Sequence, residues 1–153
     1  MAGSVRPRRV WLITGAARGL GRAFGEAALA AGHAVVLTAR DVGPLEDLAA
    51  AYADRALALA LDVTDRAGAA HVVRQAVERF GRLDIAVNNA GYGLHGAVEE
   101  VGEGEARAQM ETNFFGALWV TQAVLPVMRR AGRGHIVQVS SAAGATGFPL
   151  VGM

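Results

Sequence analysis

Near the start of the chain lies Thr14-Gly15-Ala16-Ala17-Arg18-Gly19-Leu20-Gly21, the first stretch whose residue types and spacing could do chemistry. Gly15 permits a tight turn, Gly19 lets the backbone come close to a diphosphate, and Gly21 permits close packing of whatever follows. If a helix starts here, its unpaired N–H groups and its partly positive end face the same point, which suits an anionic phosphate. The spacing is G-x-x-x-G-x-G, not the G-x-G-x-x-G of the common dinucleotide fingerprint, and a plain strand-to-helix turn is the alternative. No G-K-[ST] follows, which argues against a nucleoside-triphosphate P-loop.

Other polar residues stand where chemistry is possible, each with an ordinary structural alternative. Asp62, in Leu61-Asp62-Val63, could meet a ligand or simply cap the next helix. In Asn88-Asn89-Ala90-Gly91 the small residues allow close approach of the backbone to a ligand, and the asparagines can brace loops. Asn113, in Thr112-Asn113-Phe114-Phe115-Gly116, sits in a helical stretch, where an asparagine is normally a surface residue. Ser140 and Ser141 end an apolar run, 135–140, and could be loop residues only. Arg18 and Arg40 together would suit a 2′-phosphate, which a guanidinium grips bidentately. Both could instead be solvated surface arginines, and Asp41 beside Arg40 could hold ribose hydroxyls. His33, His71, His95 and His135 lack ligand-like spacing, so no metal site is expected. Tyr92 and His95 could face a substrate, although loop residues usually do not reach one.

The elements that must position these residues are legible from periodicity. Five near-continuously apolar runs, Val10–Thr14, Ala34–Ala39, 56–61, 84–88 and 135–140, read as strands covered on both faces. Between them come helical periods. Leu20, Phe24, Ala27, Ala28 and Ala31 share one face, opposite Arg22 and Glu26. Val73, Ala76, Val77 and Phe80 form a second stripe, opened by Thr64 or Asp65 and closed by Gly81. A third segment, 103–131, carries Met110, Phe114, Ala117, Leu118, Thr121, Leu125 and Met128 on one side, and Pro126 should kink or loosen its last turn. The order β-α-β-α-β-α-β-α-β, with right-handed crossovers, predicts a Rossmann-like doubly wound parallel sheet ordered 3-2-1-4-5.

Composition narrows the class. The 153 residues are 52% apolar and 19% charged, with net charge +1. That suits one dinucleotide-binding domain over 10–153, preceded by a flexible tail over 1–9. The arginines are scattered, which argues against nucleic acid as a partner. No run approaches a membrane span, and no signal peptide is visible. The lack of cysteine fits a reducing, cytoplasmic setting.

Taken together and in this order, the glycine loop, Leu61-Asp62-Val63, the NNAG run, the Thr112–Gly116 segment and the strand ending in Ser140-Ser141 resemble the short-chain dehydrogenase/reductase family. The resemblance covers essentially everything from Val10 onward. It implies a nicotinamide cofactor, with Thr14, Gly15, Ala17, Arg18, Gly19, Leu20, Gly21, Arg40, Asp62, Val63, Asn89, Ala90 and Gly91 contributing to its site. Asp62 would touch the adenine, and NADP is expected over NAD because Arg40 stands where NAD-using members usually carry an acid. It implies Asn113 as holder of a water in a proton relay and Ser141 as the serine that orients a carbonyl or alcohol substrate. The parent protein is expected to be a homo-oligomer.

In that family a Tyr-x-x-x-Lys pair follows the serine by about a dozen residues and exchanges the proton. A free phenol has a pKa of about 10 and needs a nearby cation to work near neutrality. All fifteen basic residues here are arginines, so the chain contains no lysine. Tyr52 and Tyr92 do not fit the position. The expectation is therefore a sheet incomplete at its C-terminal side, inactive alone, with an apolar open edge on the fifth strand that invites aggregation. The alternative is a nucleotide-sensing module that uses the same fold without turnover, or, less specifically, a scaffold.

Overall fold

The structure is a computed structural model that describes residues 8–150. Most of the tail expected over 1–9, and the last three residues of the unit expected over 10–153, lie outside the described residues.

Five parallel strands form one sheet: β1 (Val10–Thr14), β2 (Ala34–Ala39), β3 (Ala56–Ala60), β4 (Ile85–Asn88) and β5 (His135–Gln138). Their order is β3-β2-β1-β4-β5, with Ile13 opposite Leu37 on one side and Val87 on the other. This is the doubly wound arrangement that the motif order implies. The inner strands β1, β2 and β4 are covered on both faces, whereas β5, expected to be covered likewise, is exposed at His135, Val137 and Gln138. Leu12, Val36 and Ala86 point to one core, and Ile13, Val35, Leu37 and Val87 to the other. Burying one such leucine or valine side chain contributes about 1.5–3 kcal/mol.

Helices α1 (Gly19–Ala30) and α2 (Glu46–Ala51) cover one face. Helix α3 (Arg66–Phe80) covers the other with the long helical segment. That segment is α4 (Glu103–Met110), a π-helical stretch over Glu111–Gly116 and α5 (Ala117–Arg130). Asp65 caps α3, accepting from the Ala67 N–H at 2.9 Å, and Gly81 ends it at φ +73°. Both ends lie where cap chemistry predicted them.

Two helical faces differ from expectation. Helix α1 buries Gly21, Gly25, Ala28 and Leu29, whereas Leu20 is 61% exposed and Ala27 and Ala31 face solvent. A hydrophobicity stripe undervalues glycine, yet a side chain on Gly25 would collide with Leu37 of β2. The third helix buries Gln109, Gly116, Val120, Val124 and Met128, while Met110 and Phe114 are exposed. Apart from Met128, the buried positions fall one residue before the expected stripe on both sides of the π-helical stretch, because Gln109 and Gly116, which a hydrophobicity stripe passes over, take places on the buried face. Pro126 does not end the helix, which runs on to Arg130. Strand boundaries move slightly as well. Asp84 precedes β4 instead of opening it, and β5 stops short of Val139 and Ser140.

Among the described residues, no helix is long and apolar enough to cross a membrane.

Candidate functional site at the carboxyl edge of the sheet

The carboxyl ends of the strands converge where β1 separates the two directions of winding, the place where open α/β sheets form a crevice. Thr14, the last residue of β1, is the hub. Its hydroxyl donates to the Val87 carbonyl at 3.3 Å and accepts from the N–H groups of Asn89 at 3.0 Å and Ala90 at 3.1 Å. Asn89 answers with its side chain, whose Nδ2 donates to the carbonyls of Thr14 at 2.9 Å and Gly15 at 3.1 Å. The glycine loop and the NNAG loop are thus one braced unit, held by buried bonds worth about 1 kcal/mol each.

The glycines divide the work differently from the sequence reading. Gly15 turns the chain at φ +65°, and a Cβ there would lie 2.9 Å from Ala90 Cα. Gly21 lies against the Gly15 carbonyl and the Asn89 amide, so it closes the loop, while close helix–sheet packing falls to Gly25. Gly19, at φ +58°, has nothing within 4 Å of where a Cβ would stand. The backbone is therefore open to solvent at the start of α1, and no side chain among the described residues caps that helix end. Its first N–H groups have no intrahelical acceptor by construction.

A cleft of about 420 Å³ runs along this edge. Gly15, Ala17, Arg18, Arg40, Asp62, Val63, Ala90 and Gly91 all line it, so eight of the proposed cofactor residues meet in one space. Thr14, Asn89 and Gly21 support it from below, and Leu20 projects outward. Asp41, the doubtful neighbour of Arg40, also borders the cleft, but its Oδ1 accepts from the Gly43 N–H at 3.0 Å and closes a local turn. Asp62 is not the cap of α3. Its Oδ1 accepts from the Thr64 N–H at 3.0 Å and the Thr64 hydroxyl at 2.8 Å. Those two bonds, aided by the charge of Arg40 and opposed by partial burial, hold its carboxyl below the ordinary carboxylate range. Tyr92, set aside from the sequence, lines the cleft together with Thr112. His95 is not among the lining residues.

Asn113 lies in the π-helical stretch and clasps the backbone of Tyr92. Its Oδ1 accepts from the Tyr92 N–H at 3.0 Å and its Nδ2 donates to the Tyr92 carbonyl at 2.7 Å. Gln109, buried and one turn earlier, donates to the same carbonyl at 3.2 Å. Sequence reasoning passed over Gln109, although an amide four residues before Asn113 shares its helical face and was the available signal. Gly116 faces Val63, where a side chain would collide. Asn88 is 5% exposed, and its Nδ2 donates to Thr121 Oγ1 at 3.0 Å.

Ser141 follows β5 on the far side of β4. Its hydroxyl accepts from the Ala143 N–H at 3.1 Å and starts a single helical turn over Ala142–Gly144. The Val139 N–H bonds the Asn88 carbonyl at 3.0 Å, and the Gly96 N–H bonds the Leu150 carbonyl at 3.0 Å, so the loops after β4 and β5 lie side by side. Asn113 is tied to the loop after β4 through Tyr92, and Ser141 lies in the loop after β5. Neither is among the residues lining the 420 Å³ cleft.

Comparison with known proteins identifies the family and the fold. The profile of the short chain dehydrogenase family matches residues 9–153. Oxidoreductase BOA17 of Botryotinia fuckeliana is 44% identical over 142 residues, covering 92% of this chain and 52% of its own. A short-chain dehydrogenase from Streptomyces avermitilis, known from its crystal structure, is 47% identical with a TM-score of 0.90, over 94% of this chain and 53% of that one. An alcohol dehydrogenase from the archaeon Thermococcus sibiricus, solved with 5-hydroxy-NADP, is 32% identical with a TM-score of 0.89, over 95% of this chain and 63% of that one. The chain spans about half the length of the curated relatives it matches. With a profile match over nearly its whole length and the same sheet, the chain belongs to the short-chain dehydrogenase family.

Proposed function

We propose that residues 10–153 form a dinucleotide-binding unit that takes NADP(H) in preference to NAD(H), as part of an oxidoreductase acting on a small carbonyl or alcohol. The observation that carries this reading is the open backbone at Gly19, over an uncapped helix start, with Arg18 and Arg40 on the same cleft. The diphosphate would rest on the N–H groups at the start of α1, where the helix end favours negative charge. Arg18 and Arg40 would grip a 2′-phosphate, their two positive charges set against the one carboxylate of Asp41, whose Oδ1 is bonded to the Gly43 N–H. Asp62 and Val63 would border the adenine. The NADP-type ligand of the Thermococcus sibiricus relative supports the same preference.

When bound, the nicotinamide supplies or accepts a hydride. The chain's own residues would orient the partners. Ser141 Oγ accepts from the Ala143 N–H, and its own O–H proton would donate to a substrate oxygen. Asn113 spends one lone pair of Oδ1 and one proton of Nδ2 on Tyr92. A water would bond to the remaining lone pair or proton or to the backbone carbonyl, within a π-helical stretch where carbonyl pairing is irregular.

The 153 residues contain no lysine. Tyr52 packs against the α1–α2 side of the sheet. We therefore read the chain alone as competent to bind nucleotide but not to turn substrate over. The runner-up reading is a nucleotide-responsive module without chemistry. Titration with NADP and NAD, followed by tyrosine and tryptophan fluorescence, tests the shared part: saturable binding with NADP the tighter ligand is expected, and no binding of either removes both readings. Assays with a panel of carbonyls and alcohols test the rest. Measurable turnover by the chain alone would overturn the claim of inactivity.

A further inference from the structure

Arg22 lies on the first turns of α1, outside the cleft, and every nitrogen of its guanidinium is engaged. Nε donates to Glu26 at 2.8 Å, one terminal nitrogen donates to Asp47 at 2.7 Å, and the other donates to the backbone carbonyl of Pro44. The carbonyl is the informative acceptor. Pro44 lines the cleft and belongs to the loop that carries Arg40 and Asp41. Bonds within that loop are local: Asp41 to the Gly43 N–H at 3.0 Å, and the Val42 carbonyl to the Leu45 N–H at 2.8 Å. Arg22 ties it to the helix whose first residue follows Arg18.

Magnitude separates two roles for this arginine. Glu26 and Asp47 are half or more exposed, with side-chain exposures of 51% and 68%. Ion pairs of that kind contribute little to stability. The two carboxylates also offset the charge of Arg22, so it is a poor candidate for a phosphate ligand. What the arrangement does supply is geometry. A planar guanidinium holds three acceptors in fixed directions, which a lysine ammonium on a flexible stem does not.

We propose that Arg22 is a positioning residue for cofactor choice. By gripping the Pro44 carbonyl it sets the Arg40 loop against the Arg18 helix, so that one 2′-phosphate meets both guanidinium groups. This rests on the NADP reading above. NAD lacks that phosphate and depends less on the position of the loop.

The test is titration of the protein and of its Arg22→Lys and Arg22→Gln variants with NADP and with NAD, with circular dichroism to confirm the fold. Both variants should weaken NADP by about tenfold and NAD by less than about threefold, as expected when a charge-assisted contact is misplaced. Arg22→Lys keeps the charge and loses the fork, so its failure to retain selectivity is the expected mark of positioning. Asp47→Ala alters one exposed anchor without touching the core and should shift the ratio in the same direction, by less. An unchanged NADP/NAD ratio in all three variants, with the unmodified protein preferring NADP, overturns the inference and leaves the NADP reading standing. An equal loss of both cofactors also overturns it, because that is the mark of a merely structural arginine. If the unmodified protein shows no preference for NADP, both fall together.

Discussion

The carboxamide of Asn113 bonds both backbone groups of Tyr92, accepting at 3.0 Å and donating at 2.7 Å, as a neighbouring strand would. The residue that the family resemblance singles out for proton relay is therefore also the latch of the loop after β4. The latch is tight: a Cβ on Gly91 would lie 3.0 Å from Asn113 Oδ1.

Asn113→Ala should release Tyr92 and lower stability by about 1–2 kcal/mol, since two bonds to backbone are lost at a partly solvated position. Urea unfolding gives the magnitude. Amide exchange at Tyr92 locates it, and unaltered protection there would contradict the latch.

Gly19 and Gly21 should behave oppositely on replacement by alanine. At Gly19 there is room for a methyl group, so Gly19→Ala is expected to cost about 1–2 kcal/mol through its positive φ and to block NADP. At Gly21 the methyl would overlap the Gly15 carbonyl and the Asn89 amide, so Gly21→Ala should disrupt the folded loop itself. Thermal unfolding with and without NADP distinguishes the two. Full NADP affinity in Gly19→Ala would remove the case for a diphosphate over that residue.

Arg40→Ala should reduce NADP affinity by about tenfold or more and leave NAD affinity nearly unchanged, because only NADP carries the 2′-phosphate. Parallel titrations with both cofactors give the ratio. Equal weakening of the two would point to a structural part for Arg40 instead.

Acid sensitivity should centre on Asp84, whose side chain is 8% exposed. Burial alone would raise its pKa. The bond from Arg82, the Val10 N–H at 2.9 Å and the nearby Arg133 outweigh burial and hold it below the ordinary value. A folded pKa below the unfolded one contributes stability above the unfolded value, about pH 4, that is lost as pH falls through the folded value. Asp84→Asn should flatten this acid limb. Asp84→Ala, which leaves the buried Val10 N–H without its acceptor, should cost about 1–3 kcal/mol at neutral pH. Denaturation at several pH values supplies the test, and an acid limb of unchanged steepness in Asp84→Asn would show that other carboxylates dominate it.

Strand β5 ends the sheet, bonded along one side to β4, with Val137 and Val139 each 36% exposed. Such an edge should pair with other chains, so the 153 residues alone are expected to self-associate with rising concentration. Light scattering across a dilution series is the measurement. A monomer that unfolds cooperatively at every concentration would contradict the expectation.

Local pattern in the sequence determined a great deal of this protein. Continuous apolar runs marked the strands because both faces of a parallel sheet are covered, and the spacing of Gly15, Gly19 and Gly21 marked the strand-to-helix turn. Asp65 and Gly81 marked the ends of α3 because a cap is a bond between near neighbours. What only the tertiary structure decided involves residues far apart in the chain or contacts outside the apolar pattern. The hydroxyl of Thr14 meets the N–H groups of residues 75 and 76 positions away, and no local pattern encodes that. The buried face of the long helical segment includes Gln109, bonded to the Tyr92 carbonyl, and Gly116, set against Val63, and no stripe of apolar residues marks either contact. Asp41 and Arg40 are neighbours in the chain, but only the folded loop shows that the Asp41 carboxylate bonds the Gly43 N–H while both residues border the cleft. Sequence identifies which groups are present and the period on which they repeat; their partners depend on how distant segments are brought together in space.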